Sequence, residues 1–157
     1  MKISYYNIGK TTLSYLEEGI TIYEKRIKNY IRFETIVIPE LKNTKNISIQ
    51  EQKEREADLL LSKFNDSDYI VLLDEAGKLY TSIEFSKYIE HKTVSSINNM
   101  VFIIGGPYGF SDKIYKRANE KISLSKMTFS HQMIRLLFIE QLYRAFTIIK
   151  GEPYHHE

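Results

Sequence analysis

The chain has 157 residues with 43% hydrophobic and 27% charged side chains, which suits one folded domain over the whole of residues 1–157. It has no cysteine, so disulfides, thiolate metal sites and a cysteine nucleophile are excluded. The net charge of +2 is too small to argue for nucleic acid by itself, and no run approaches the roughly 18 apolar residues of a membrane span, so a cytoplasmic protein is expected. Residues 3–8 read as a first strand ended by Gly9. Leu13, Leu16, Ile20, Tyr23 and Ile27 recur at helical spacing and predict a helix over residues 12–30. A β-branched run at 33–38, closed by Pro39, is the second strand, and polar residues 40–46 form a loop. Ser48 opens a charged helix over 49–64, with Ala57, Leu60, Leu61 and Phe64 on one face.

Residues 69–73 are a continuous apolar strand, the pattern of a strand buried on both faces of a parallel sheet. Residues 74–78 are expected to turn the chain. Ser82 then caps a helix through residue 91. Residues 101–104 are again fully apolar and run into Gly105-Gly106-Pro107-Tyr108-Gly109. A short helix at 112–119, a short strand at 122–124 and a last helix from Ser130 to Gly151 complete the chain. Strands alternating with helices predict an α/β protein, with a mainly parallel sheet and helices on both faces. Ligands in such sheets sit beyond the carboxyl ends of strands, which directs attention to Leu73-Asp74 and Ile104-Gly105.

The glycine turn is not GxGxxG and lacks the Lys-Ser/Thr of a phosphate loop, so it reads either as a ligand cradle or as a tight strand-to-helix connection. The segment Ser123 to Phe129 offers backbone groups to a planar ligand, or is a plain loop before the helix cap at Ser130. No GxSxG elbow is present, and Asp74 and Glu75, adjacent on an extended segment, are expected to point opposite ways. The last helix is apolar on two sides: Ile134, Leu137, Phe138, Leu142, Ala145, Phe146 and Ile149 on one, Leu136, Ile139, Tyr143 and Ile148 on the other. A homodimer interface is the economical explanation of so much apolar surface on a terminal helix. Glu140 and Arg144 stand four residues apart and are placed to pair, or Arg144 reaches a phosphate across that interface. The Tyr154-His155 tail reads as a frayed terminus or as a hand on a nucleic-acid base. His155-His156 lacks a third ligand, so no metal is expected. From Gly105 onward there are 8 Lys and Arg against 5 Asp and Glu, a mildly basic C-terminal part.

Five motifs stand in register along the chain: Leu73-Asp74-Glu75-x-Gly77-Lys78; Ile103-Ile104-Gly105-Gly106-Pro107-x-Gly109; Ser123 to Phe129 followed by His131-Gln132; Glu140-Gln141-Leu142-Tyr143-Arg144-Ala145; and the closing Tyr154-His155. Together they resemble the RlmH (YbeA-type) family, 23S rRNA pseudouridine N3-methyltransferases of the SPOUT superfamily. The resemblance implies a deep C-terminal trefoil knot, a homodimer, and S-adenosylmethionine as cofactor. By motif position, the cofactor contacts would be Leu73, Gly105, Leu124, Ser125, Lys126, Met127, Thr128 and Phe129. The implied substrate is a pseudouridine in large-subunit rRNA of the assembled ribosome. Arg144, Tyr154 and His155 are then expected to place it, with the His155 imidazole the one side chain of the three suited to accept a proton. His156 and Glu157 stand where a basic residue is common in the family, which bears on RNA affinity. The competing readings are a SPOUT enzyme acting on tRNA, a non-enzymatic ribosome factor of this fold, and a flavodoxin-like nucleotide module.

Overall fold

The alternation within the apolar runs decides the architecture. In the computed structural model, which describes residues 1–156, five strands form one sheet: β1 (Lys2–Ile8), β2 (Arg32–Ile38), β3 (Tyr69–Leu79), β4 (Asn99–Ile104) and β5 (Glu120–Ser123). Their order is β2-β1-β4-β3-β5, and every pairing is parallel. The residues that face one side, Ile3, Tyr5, Val71, Met100, Phe102 and Ile104, pack in one core with α1 (Ser14–Ile27), α3 (Ser82–Thr93) and α5 (Met133–Ile149). Tyr6, Ile8, Ile70, Leu72, Val101 and Ile103 face the other side and meet α2 (Ile49–Leu61) and α4 (Asp112–Arg117). The α/β sheet with helices on both faces is as expected.

Three local expectations shift. Residues 74–78 do not turn the chain: β3 continues to Leu79 and bulges, with both Leu73 and Lys78 in register with Ile122. The cap of α3 is Thr81, not Ser82, in a full capping box with Glu84. The last helix begins at Met133, and Ser130 Oγ accepts from the Met133 N–H at 3.1 Å just ahead of it.

The apolar perimeter of α5 is largely accounted for within the chain. The helix lies between α1 and α3 on the sheet, and Phe138, Ile139, Leu142, Ala145 and Phe146 are all buried there. A dimer is therefore not needed to explain this helix. The one full charge on its buried side, Arg135, is 1% exposed. Its guanidinium donates to the carbonyls of Ile8 (2.7 Å), Gly9 (3.0 Å) and His131 (3.1 Å) and to Thr11 Oγ1 (3.2 Å).

At the opposite edge of the sheet, Glu120 at the start of β5 accepts from Tyr69 (2.6 Å), Tyr88 (2.5 Å) and Lys92 (2.8 Å). Burial alone would raise the Glu120 carboxyl, but these three donors outweigh it and hold the group below the ordinary glutamate value. Between its folded and unfolded values the native state thus binds fewer protons than the unfolded chain. The contribution is complete above the ordinary glutamate range and is lost as pH falls through the depressed value. Urea titrations from pH 7 to pH 3 test this. Glu120→Gln is expected to be about 2 kcal/mol less stable at neutral pH and to lose less stability than the parent on acidification; equal acid sensitivity would contradict the assignment.

Candidate active site

All five strands end on the same edge, because all are parallel, and the segments leaving β3, β4 and β5 enclose a cleft of about 770 Å³. Leu73, Gly105, Leu124, Ser125, Met127, Thr128 and Phe129 all line it, so seven of the eight expected cofactor residues converge. Lys126 does not line it. Asp74, Glu75, Tyr108 and His131, which stand in or beside the motifs, also form the walls, as do Tyr115 and Ile134, which the sequence did not point to as site residues.

The bulge in β3 explains why Asp74 and Glu75 both face the cleft. Strand alternation fails where the register shifts. Asp74 Oδ1 accepts from the Ala76 N–H at 2.8 Å, and the Tyr115 hydroxyl of α4 donates to Asp74 Oδ2. Burial, then the Asp74 hydrogen bond, pushes the Tyr115 phenol up, so it remains a donor at neutral pH. Gly77 closes the bulge against β5: a Cβ there would stand 2.5 to 2.7 Å from the Ile122 backbone. The glycine turn forms the second wall. Gly109, at φ +76°, donates its N–H to the Gly106 carbonyl at 3.1 Å. The third wall, the loop after β5, is held by its own serines. Ser123 Oγ donates to the Ser125 carbonyl at 2.8 Å, and Ser125 Oγ accepts from the Met127 N–H at 2.9 Å.

The three residues expected to handle substrate form a second cluster. Past α5, Gly151 at φ +67° turns the chain, with the Glu152 N–H donating to the Thr147 carbonyl at 2.9 Å. The tail then folds back on the helix. The Tyr154 ring meets Tyr143 edge-on at 4.8 Å, and the Arg144 guanidinium lies 4.9 Å from the Tyr154 ring centre. Tyr154 Oη donates to Glu140 Oε1 (3.0 Å) and lies 3.2 Å from Tyr23 Oη. Arg144 pairs with Glu140 at 2.5 Å and donates to His155 Nδ1 at 3.2 Å. Burial, then the Tyr23 and Glu140 hydrogen bonds, pushes the Tyr154 phenol up. The segment read as frayed or functional is thus pinned through Tyr154 and His155; Glu157 lies outside the described residues.

This cluster and the cleft do not meet within one chain. Ile134 lines the cleft, and Arg144 follows ten residues later on the same helix, about 15 Å along its axis. None of Arg144, Tyr154 and His155 lines the cleft.

Comparison with known proteins decides the class of this site. Residues 1–155 match the family model described as predicted SPOUT methyltransferase. The chain belongs to the SPOUT methyltransferase family. It is a methyltransferase, and its methyl donor is S-adenosylmethionine. It is 57% identical over 157 residues to the ribosomal RNA large subunit methyltransferase H of Parabacteroides distasonis, covering 100% of both chains. It is 56% identical over 156 residues to the protein of the same name from Christiangramia forsetii, covering 99% of each. A solved structure of a probable methylase family protein from Haemophilus influenzae shares the fold, with a TM-score of 0.54 at 11% identity over 95% of this chain and 66% of that one.

The cleft fits the donor. Its volume lies within the roughly 300–1,000 Å³ of small-molecule sites, and Leu73, Ile104, Leu124 and Phe129 offer apolar walls between backbone polar groups. Asp74, Glu75 and Asp112 add negative charge, matched to a donor carrying a sulfonium and an ammonium against one carboxylate.

Gly77→Ala tests the bulge. It is expected to cost about 1–3 kcal/mol by overpacking and to weaken S-adenosylmethionine binding, read by denaturant midpoint and calorimetry. An unchanged midpoint would show that the β3–β5 contact is not closed there.

Proposed function

We propose that the protein methylates N3 of a pseudouridine in large-subunit rRNA, in the assembled ribosome, as a homodimer whose active site is shared between copies. The names of its relatives support the rRNA substrate. The observation that carries the shared site is the separation just described: a donor cleft at one end of α5 and an ordered Arg-Tyr-His cluster at the other. A second copy running the opposite way would bring the cluster of one chain to the cleft of its partner. Each chain is one domain, and the trefoil path of the family is part of this reading. A ribosomal substrate would be met in the cytoplasm, and no helix of the described residues is long and apolar enough to cross a membrane.

When bound, the donor supplies an electrophilic methyl group. The backbone of Leu73, Gly105, Leu124, Ser125 and residues 127–129 would hold it in place, so positioning would contribute much of the rate. The target N3 lies between two carbonyls and must lose its proton. Arginine can only donate, so the contact from Arg144 to His155 Nδ1 leaves the neutral imidazole with its proton on Nε2. In this arrangement the Nδ1 lone pair of His155 is engaged by Arg144 and does not serve as the base. Arg144 keeps N–H groups beyond those given to Glu140 and His155, suited to a carbonyl whose negative charge grows as N3 is deprotonated, with Tyr154 and His155 placing the nucleobase beside Arg144, and water takes the proton. The pairing of Arg144 with Glu140 and the Glu140–Tyr154 bond hold those donors in place before RNA arrives.

Mixing two inactive variants tests the reading. Leu124→Arg blocks the cleft, and Tyr154→Ala with His155→Ala removes the cluster. Each alone is expected to leave the rRNA unmethylated by mass spectrometry. After subunit exchange, half of the dimers are mixed and each holds one intact site, so about a quarter of the parental activity should return. No recovery, or recovery with a monomeric protein, would overturn the shared site; a product other than N3-methylpseudouridine would overturn the substrate.

A further inference from the structure

Helix α2 carries three carboxylates in quick succession, and they do not behave alike. Glu54 and Asp58 share Lys113 of α4, at 3.2 and 2.8 Å. Glu56 points into the protein and is only 7% exposed. It makes no salt bridge among the described residues, and its one side-chain hydrogen bond comes from Gln52, a turn earlier on the same helix, at 3.3 Å. Burial, and then the like charge of Glu40, push its carboxyl up. Its neighbours Ala57 and Leu60 belong to the core, where an apolar residue would avoid the cost of burying a charged group.

What the Glu56 carboxylate approaches is the glycine turn. A Cβ on Gly106 would lie 3.1 Å from Glu56 Oε2 and 3.5 Å from Oε1. Gly105, Gly106 and Lys53 line the cleft, and Lys53 precedes Glu56 by three residues on α2. The carboxylate therefore stands beside the strip of backbone that forms the cleft wall, within reach of the place a Gly106 side chain would take.

We propose that Glu56 is a positioning residue for the methyl donor: its carboxylate braces Gly106 and sets the depth at which the Gly105–Gly109 turn receives the ligand. A side chain at Gly106 would crowd the same carboxylate, which must then shift from its place against the turn. This inference rests on the reading of the cleft as the donor site.

Calorimetry with S-adenosylmethionine, without RNA, tests the brace on the full-length protein. Glu56→Asp, which withdraws the carboxylate by one methylene, and Glu56→Ala are both expected to weaken donor binding at least about tenfold (a binding change of about 1.4 kcal/mol). In turnover, KM for the donor should rise while kcat at saturating donor stays within about twofold. Gly106→Ala alone should lose donor binding by crowding. Combined with Glu56→Asp it should bind more tightly than Gly106→Ala alone, because the clash is relieved; lost stability by itself would not produce that sign of coupling. Donor binding within twofold of the parent for Glu56→Asp, or a double variant no better than Gly106→Ala, overturns the proposal. Leu124→Arg separates the two levels. If it binds the donor normally, the cleft reading fails; if it loses the donor while the Glu56 variants keep it, only the brace fails.

Discussion

A guanidinium with almost no contact with water joins the parts of this molecule that make the cleft. Arg135 sits in the first turns of α5 and spends its donors on two carbonyls at the end of β1, on Thr11 beyond it, and on the His131 carbonyl. Burial pulls its pKa down, yet an arginine stays charged. Leaving such a charge unpaired would cost several kcal/mol, so each carbonyl must be where the guanidinium needs it. Gln132 adds a second tie. Its Oε1 accepts from the Thr12 N–H at 2.9 Å, and its Nε2 donates to the Lys10 carbonyl at 3.2 Å. The start of α5 is thereby fixed to the end of β1, and the loop from β5 to α5, which forms one wall of the cleft, is anchored at both ends.

With its start fixed, α5 acts as a rod that sets the distance between two chemical stations. Its slot between α1 and α3 leaves it little freedom to tilt, since Phe138 meets Tyr5 and Phe102 in the core at ring separations of 5.0 and 4.8 Å. The cleft at one end and the Arg144 cluster at the other then keep a constant offset of about 15 Å. Such an offset is useless within one chain and useful between two, which is the physical content of the dimer reading. The over-apolar helix, which first suggested a dimer, supports it less than the geometry does.

How much was legible in the sequence depended on the range of the interactions involved. Strands such as Met100 to Ile104 announce themselves because both faces are covered and every residue is apolar. Leu73 and Gly105 were locatable because strand ends in a parallel sheet share one edge, whereas the 124–129 loop was tied to the cofactor only by the family resemblance. The β3 bulge was not legible: Asp74 to Gly77 look like turn residues, and only the approach of Ile122, more than forty residues later, shows that the strand resumes. Glu56 and Arg135 were missed for the same reason. Charged residues on amphipathic helices are read as solvated by default, and nothing local says that their partners are Gly106 and the end of β1. A signal was present for Arg135, which lies three and four residues before Phe138 and Ile139 on the apolar side. The knotted path implied by the family resemblance is beyond any such reading, because a knot is a property of the whole chain trace.

The tail was the hardest segment to judge, and the reason bears on function. Terminal residues with few apolar groups normally fray, since ordering each backbone unit costs about 1–2 kcal/mol. Here that cost is met within the folded chain. Tyr30 donates to Glu152 at 2.5 Å, Tyr154 packs on Tyr143, and Arg144 and Glu140 hold the rest. A tail ordered only on binding RNA would subtract its ordering entropy from affinity and leave its donors misaligned. A tail ordered beforehand avoids that loss, which suits a protein of net charge +2 that draws little on long-range attraction to phosphates. On the proposed reading, recognition would rest on few contacts made at fixed geometry, and the ordering of Tyr154 and His155, which sequence rules left between a frayed end and a functional one, would suit them to meet a single base.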